Sequence, residues 1–341
     1  MSPPDSFSRA AVVVTSISKP NAVLTALADG CQKAGGRFYV AGDTRSPEAF
    51  SIPGCTFLDI ESQRRSGFRI AELCPERSYT RKNFAYLFAI RDGAQFIVET
   101  DDDNFPLPDF WSARRIEVFG HQIQGDGWIN VYERFSDAFI YPRGFPLSHA
   151  RKKLQDEMGD TKRLVQSLVQ QGLANQNPDV DAIYRMLFPL PLDFLERPPV
   201  VLGVGQWCPF NSQNTTFFRE AYPLLYLPAF CSFRMTDIWR SFVAQRILWE
   251  CDANVSFHTA TVYQERNEHD LMVDFFDEIS GYLHNNAIKD VLNELSLQRG
   301  LPSIPNNLLM CYEAMVAHGW IDAQELKLLE AWLNDCRDCT A

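Results

Sequence analysis

Apolar residues in this chain fall into short β-branched runs that alternate with longer sets spaced by three and four, a pattern of alternating strands and helices. Residues 11–17 form the first run and stop at Lys19-Pro20, after which Val23, Leu24, Leu27 and Ala28 carry a helix to the Gly35-Gly36 pair. Residues 37–41 give a second strand closed by Gly42-Asp43, and residues 57–60 a short third one. Thr80 stands as the cap of a helix through Phe84, Leu87, Phe88 and Ile90; Gly93 ends it, and a strand over residues 95–100 follows. This order predicts an α/β fold with a doubly wound, mostly parallel sheet.

Further along the pattern becomes mixed. Residues 128–132 and 139–141 read as strands, and Pro142-Arg143-Gly144-Phe145-Pro146 breaks the run. Residues 150–195 read as a helical insertion, with Leu154, Met158, Leu164, Leu168 and Val169 on one apolar side. A strong helix starts at Thr236, whose hydroxyl is placed to cap it, and runs through Ile238, Trp239, Phe242, Val243, Ile247 and Leu248. Residues 271–298 and 306–335 are again helical in period. The expected organisation is a sheet domain over residues 1–265 and a C-terminal helical appendage over residues 266–341.

Composition narrows the function. A formal net charge of −11 opposes general affinity for nucleic acid or anionic lipid. No apolar stretch approaches the ~20 residues of a membrane span, and the start, Met1-Ser2-Pro3-Pro4-Asp5, lacks the regions of a signal peptide, so the expected location is cytoplasmic. Nine cysteines, mostly inside apolar runs, read as reduced core thiols, Cys336-Arg337-Asp338-Cys339 included.

The chemistry concentrates where the run Phe96-Ile97-Val98 ends in Asp101-Asp102-Asp103. Three adjacent anions repel, so placing them at a strand end requires a compensating cation or donors. Asp101 and Asp103 point to one side of an extended segment and Asp102 to the other. Such a pair suits Mn2+ or Mg2+, which take carboxylate oxygens and share the rest of their shell with substrate phosphates. The rival reading is a solvated acidic turn. A nucleotide pocket would line the ends of the earlier strands, at Thr15, Ser16, Ser18, Lys19, Asp43 and Arg45, with Asp43 accepting from a ribose or base. Arg81, Lys82 and Asn83 occupy a first helical turn, where cations are disfavoured unless an anion such as a diphosphate, or a salt bridge to Asp101 or Asp103, offsets them.

Residues 78–83 (Ser-Tyr-Thr-Arg-Lys-Asn), the acidic strand end and Pro142-Arg143-Gly144-Phe145-Pro146-Leu147 together resemble the STELLO-type glycosyltransferases, a family distantly similar to the reversibly glycosylated polypeptides, the UDP-arabinopyranose mutases. Residues 179–185, 209–215 and 233–240 are similar to the family as well, and the resemblance covers roughly residues 10–270. It implies a GT-A fold and a metal-bound nucleotide sugar, a UDP-sugar above all, with a glycan or lipid-linked acceptor. Asp101 and Asp103 would hold the metal, with His258 or His269 as a further ligand. Asp102, Arg81, Asn83, Arg143, Asn211, Gln213 and Arg266 would hold the donor. Asp237, at a helix start, matches the general-base position, and Arg240 is a further candidate clamp. The plant members carry a membrane anchor, so their Golgi location does not transfer.

Trp128, Tyr132, Trp207 and Trp239 are candidates for stacking on a sugar or base, or core. The helical tail offers a surface for assembly, so a homo-oligomer is an expectation. The rivals are a sugar-nucleotide mutase, a non-catalytic sugar-nucleotide binder and a haloacid-dehalogenase-like phosphatase; the last keeps its Asp-x-Asp after the first strand, unlike this chain.

Overall fold

A computed structural model of the protein describes residues 6–123, 125–151, 161–265 and 270–340. The N-terminal half builds as its pattern dictates. β1 (Ala10–Thr15), α1 (Ala22–Ala34), β2 (Arg37–Ala41), β3 (Cys55–Leu58), α2 (Ile60–Arg64), α3 (Lys82–Arg91) and β4 (Phe96–Thr100) follow one another. The Asn21 side chain accepts from Leu24 N to start α1, and Gly35 ends it in the left-handed region with φ 77°. The helix before β4 starts later than expected: Thr80 lies in a 3-10 turn over Tyr79–Arg81, and α3 begins at Lys82 without a side-chain cap.

The remaining elements are β5 (Asn104–Pro106), β6 (Glu117–Gln122), β7 (Gly127–Trp128), α4 (Leu147–Ala150), β8 (Thr161–Asn175), α5 (Ala182–Leu187), β9 (Val200–Val201), β10 (Gln206–Trp207), β11 (Asn214–Phe218), α6 (Thr236–Trp249), β12 (Asn254–Gln264), α7 (Leu271–Glu294), α8 (Ile304–Ala317) and α9 (Gln324–Thr340). β7 and β10 pair with each other, and the other strands form a ten-stranded sheet ordered β3-β2-β1-β4-β11-β8-β6-β9-β12-β5. β3, β2, β1 and β4 are parallel, so their carboxyl ends share one edge. β11 runs antiparallel to β4 and to β8, and brings Asn214 opposite Thr100.

Three expectations are corrected. The helical insertion expected over 150–195 gives way to a strand where it is described: residues 161–175 form β8, whose Leu168, Val169, Gln170 and Gln171 are buried between β11 and β12, while Leu154 and Met158 lie outside the described residues. Pairing partners on both edges outweigh its helix-like spacing. Of the strands expected over 128–132 and 139–141 only Trp128 is in a strand, as the second residue of β7, and Val131–Arg134 is a 3-10 turn. Thr236 is the first residue of α6 and makes no capping bond.

The C-terminal helices do not stand apart from the sheet domain. Ile288, Leu308, Tyr312, Leu328 and Trp332 belong to the same buried cluster as Val12, Leu87 and Val98. Trp332 is fully buried, donates from Nε1 to Pro223 O at 3.0 Å, and meets Tyr86 edge-on. Among the described residues no helix is long and apolar enough to cross a membrane.

Candidate active site

A cavity of about 590 Å³ opens at the shared carboxyl edge of β1, β2 and β4. β1 and β4 deliver Thr15, Ser16 and Asp101–Asp103 to it, as parallel strands deliver their C-terminal side chains to one crevice. The acidic triplet follows β4 as a turn, closed by Asn104 N on Asp101 O at 3.3 Å, and not as the extended segment expected. Asp102 turns toward β1, where its carboxylate accepts from the Ser16 hydroxyl, and its backbone oxygen accepts from Asn21 Nδ2 at 2.9 Å. Asp101 Oδ1 accepts from Tyr79 Oη at 2.9 Å and Lys82 Nζ at 3.2 Å, while both Asp103 oxygens lie 3.1 Å from Gln264 Nε2.

Burial, with the Asp103 charge adding to it and Lys82 opposing it, pushes Asp101 up to about 6. Three carboxylates, Asp101, Asp102 and Asp103, thus stand at this strand end with the one buried Lys82 beside Asp101, and a divalent ion would relieve both their mutual repulsion and the cost of burying Asp101 ionised. The donors are carboxylate oxygens, hard ligands that fit Mg2+ or Mn2+. Among the described residues no group of three or more His, Cys, Asp or Glu converges, so most of an ion's shell would come from water and phosphate.

The opposite wall is a buried ion cluster. Arg143 reaches Asp179 through Nε and Nη2, both at 2.8 Å, and Asp237 through Nη2 at 2.9 and 3.1 Å; its Nη1 donates to Arg234 O. Gly144 permits this approach: its φ is +83°, and a Cβ there would lie 2.4 Å from Ile238 on α6. Asp237 also accepts from Ser212 N at 3.1 Å, and Ser212 Oγ lies 3.2 Å from it. Burial alone would raise its carboxyl, but the Arg143 guanidinium outweighs it and holds Asp237 down at about 2.

The cavity brings together Thr15, Ser16, Ser18, Asp43, Arg45, Asp101, Asp102, Asp103, Arg143, Gln213 and Asp237 of the residues singled out from sequence. Two of these already carry other duties. The Thr15 hydroxyl donates to Ala41 O at 3.0 Å, and Asp43 accepts from Thr44 N, Arg77 N and Ser78 N, so it clamps the Arg77-Ser78 loop.

Several expectations are displaced. Lys19 is exposed and is not among the residues lining the cavity. Arg81 is buried against Gln63 and Cys74 O, and Asn83 holds Leu227 N and O; these motif residues build the scaffold behind the site. Asn211 is buried and accepts from Gln213 N. Arg240 is sealed in an ion pair with Glu99. His258 lines a separate cavity with Arg114; burial, with Arg114 nearby, pushes it down to about 4, and it is no partner of Asp101. Arg266 and His269 lie outside the described residues. Trp207, Trp239 and Tyr132 are core, while Trp128 is half-buried and donates to Asn286.

Sequence reasoning overlooked Tyr79, Asp179, Ser212 and Gln264 as site residues. Tyr79, Asp179 and Ser212 lie within the motifs that carry the resemblance, a usable signal; Gln264 had none.

The sequence model of the STELLO glycosyltransferases matches residues 234–340. The chain is 27% identical to probable glycosyltransferase STELLO1 of Arabidopsis thaliana, over 88% of this chain and 41% of that protein. It is 28% identical to probable glycosyltransferase STELLO2 of the same plant, over 98% of this chain and 45% of that protein. This chain is similar to the STELLO glycosyltransferases over most of its length. It spans less than half the length of these two STELLO proteins. The segment matched by the STELLO model contains Asp237 and α7, α8 and α9, whereas the acidic triplet lies outside it. Among solved structures, a mycobacterial protein (TM-score 0.39, 12% identity, 81% of this chain and 74% of that one) and M. tuberculosis glucosyl-3-phosphoglycerate synthase (TM-score 0.38, 12% identity, 81% and 80%) are similar to it.

Proposed function

We propose that this protein is a metal-dependent glycosyltransferase of GT-A fold that moves a sugar from a nucleotide sugar, a UDP-sugar above all, to a hydroxyl of a glycan or lipid-linked acceptor. The observation that supports this most is the seating of Asp101 and Asp103 at the end of β4, in a cavity that also holds Ser16, Arg45 and Arg77 beside β1 and β2 and the Arg143–Asp237 pair across from them. Mn2+ or Mg2+ at the two carboxylates would neutralise the donor diphosphate and stabilise it as a leaving group.

The rest follows from the side chains. Arg45 and Arg77, exposed at the rim, attract the diphosphate. Asp102 and Ser16 face the nucleoside side. Asp237 is the acceptor-side carboxylate. Arg143 keeps it ionised and of low basicity, so it receives the acceptor proton late, once positive charge on the sugar has made the attacking hydroxyl acidic.

A thermal-shift series of nucleotide sugars with and without Mn2+ tests the reading. A donor at a hundred times its Kd stabilises the fold by about 2.7 kcal/mol, and this gain is expected only with metal, and only with Asp101 and Asp103 intact. Equal shifts in wild type and in the Asp101→Asn, Asp103→Asn double variant would refute it.

A further inference from the structure

Two hydroxyls join the acidic strand end to the ion cluster across the cavity. Tyr79 Oη lies 2.9 Å from Asp101 Oδ1 and 2.6 Å from Ser212 Oγ, and Ser212 Oγ lies 3.2 Å from Asp237 Oδ2. Lys82 Nζ, which can only donate, reaches Tyr79 Oη at 2.8 Å and so occupies one lone pair of the phenol oxygen. The heavy atoms are pinned: Lys82 Nζ also lies 2.9 Å from Thr100 O and 3.2 Å from both Ser212 O and Asp101 Oδ1, so its two remaining N–H groups are shared among these three oxygens, and Ser212 N donates to Asp237.

The proton count decides what this chain of contacts can do. Two hydroxyls own two protons, and the 2.6 Å contact between them consumes one. One proton remains for two carboxylates. Either Ser212 donates to Tyr79 and Tyr79 to Asp101, or Tyr79 donates to Ser212 and Ser212 to Asp237.

We infer that Tyr79 and Ser212 form a two-position relay that couples cation binding at Asp101 to Asp237. A cation on Asp101 repels the Tyr79 proton, and both hydroxyls turn toward Asp237. The Asp237 charge draws the same protons and thereby frees Asp101 for the cation. The coupling is reciprocal, as linkage requires. Tyr79 and Ser212 are positioning residues here, since they act through the two carboxylates. The inference rests on the metal reading above.

The test is a Mn2+ titration of the full chain, read by the electron paramagnetic resonance of free Mn2+, in wild type, Tyr79→Phe, Asp237→Asn and the double variant. Asp237→Asn is expected to weaken Mn2+ binding ~5- to 10-fold in wild type but less than ~2-fold beside Tyr79→Phe, the non-additivity of groups sharing one network. An equal loss in both backgrounds would mean a through-space charge effect and overturn the relay while leaving the metal site standing. Absence of Mn2+ binding to wild type would overturn the metal reading and the relay together. If Asp237→Asn does not fold, Ser212→Ala replaces it in the same cycle with the same criterion.

Discussion

Arg240 and Glu99 face each other with side chains 2% and 0% exposed, joined at 2.6 and 2.9 Å. Replacing Arg240 by Met leaves the Glu99 charge buried without its partner, and urea denaturation is expected to show a loss of about 3–5 kcal/mol. Two other carboxylates give opposite pH signatures. Asp237 is held below its ordinary range, at about 2, so its contribution is complete above pH ~4. About 2 kcal/mol is then lost as pH falls from ~4 toward 2. Asp181 is raised to about 7, by burial first and by Glu278 in addition, against the Tyr184 amide. Its ionisation therefore costs stability as pH rises from ~4 to 7. Asp181→Asn keeps an acceptor for Tyr184 N and Tyr141 Oη, so it is expected to leave stability at pH 4 unchanged and to raise it at pH 8 by about 4 kcal/mol. A wild-type pH slope in that variant would rule this out. Residue types predicted such sites poorly: Arg81, Arg240 and Arg143 look alike in sequence. Only their surroundings assign the first two to the scaffold and the third to the cavity.

Among the elements, α1 shows how a helix end serves the site. Asn21 caps it through Oδ1 and steadies the acidic turn through Nδ2. Asn21→Ala is expected to cost about 1 kcal/mol in thermal unfolding, and to weaken the Mn2+ dependence of donor binding because Asp102 loses its tether. Strands β1, β2 and β4 were legible because their β-branched and aromatic runs are short and bounded by Gly, Pro and Asp. β8 was not. Its apolar residues fit a helix in isolation, and the strand forms because β11 and β12 present free edges to it, a long-range condition that local spacing does not encode.

For the whole molecule, the C-terminal helices are structural members. Glu325 of α9 accepts from Ala229 N and Phe230 N, and its Tyr226 contact lies beneath α8; Asp335 accepts from Arg69 N and Ile70 N at 3.0 Å each. Truncation after residue 265 would expose Trp332, Leu328 and Tyr312 partners across the core. The shortened chain is expected to lose cooperative unfolding and near-ultraviolet circular dichroism, whereas retention of both would show an independent sheet domain.

Local chemistry alone determined the strand-and-helix alternation up to residue 100 and the placing of Asp101–Asp103 at a strand end, because these depend on side-chain period and on neighbours within a few residues. Tertiary structure decided the rest: which arginines meet the cavity, that Tyr79 and Ser212 bridge Asp101 to Asp237, and that Gln264 closes on Asp103. Those contacts join residues more than twenty positions apart, and Tyr79–Ser212 and Asp103–Gln264 more than a hundred, and they exist only once the sheet has assembled.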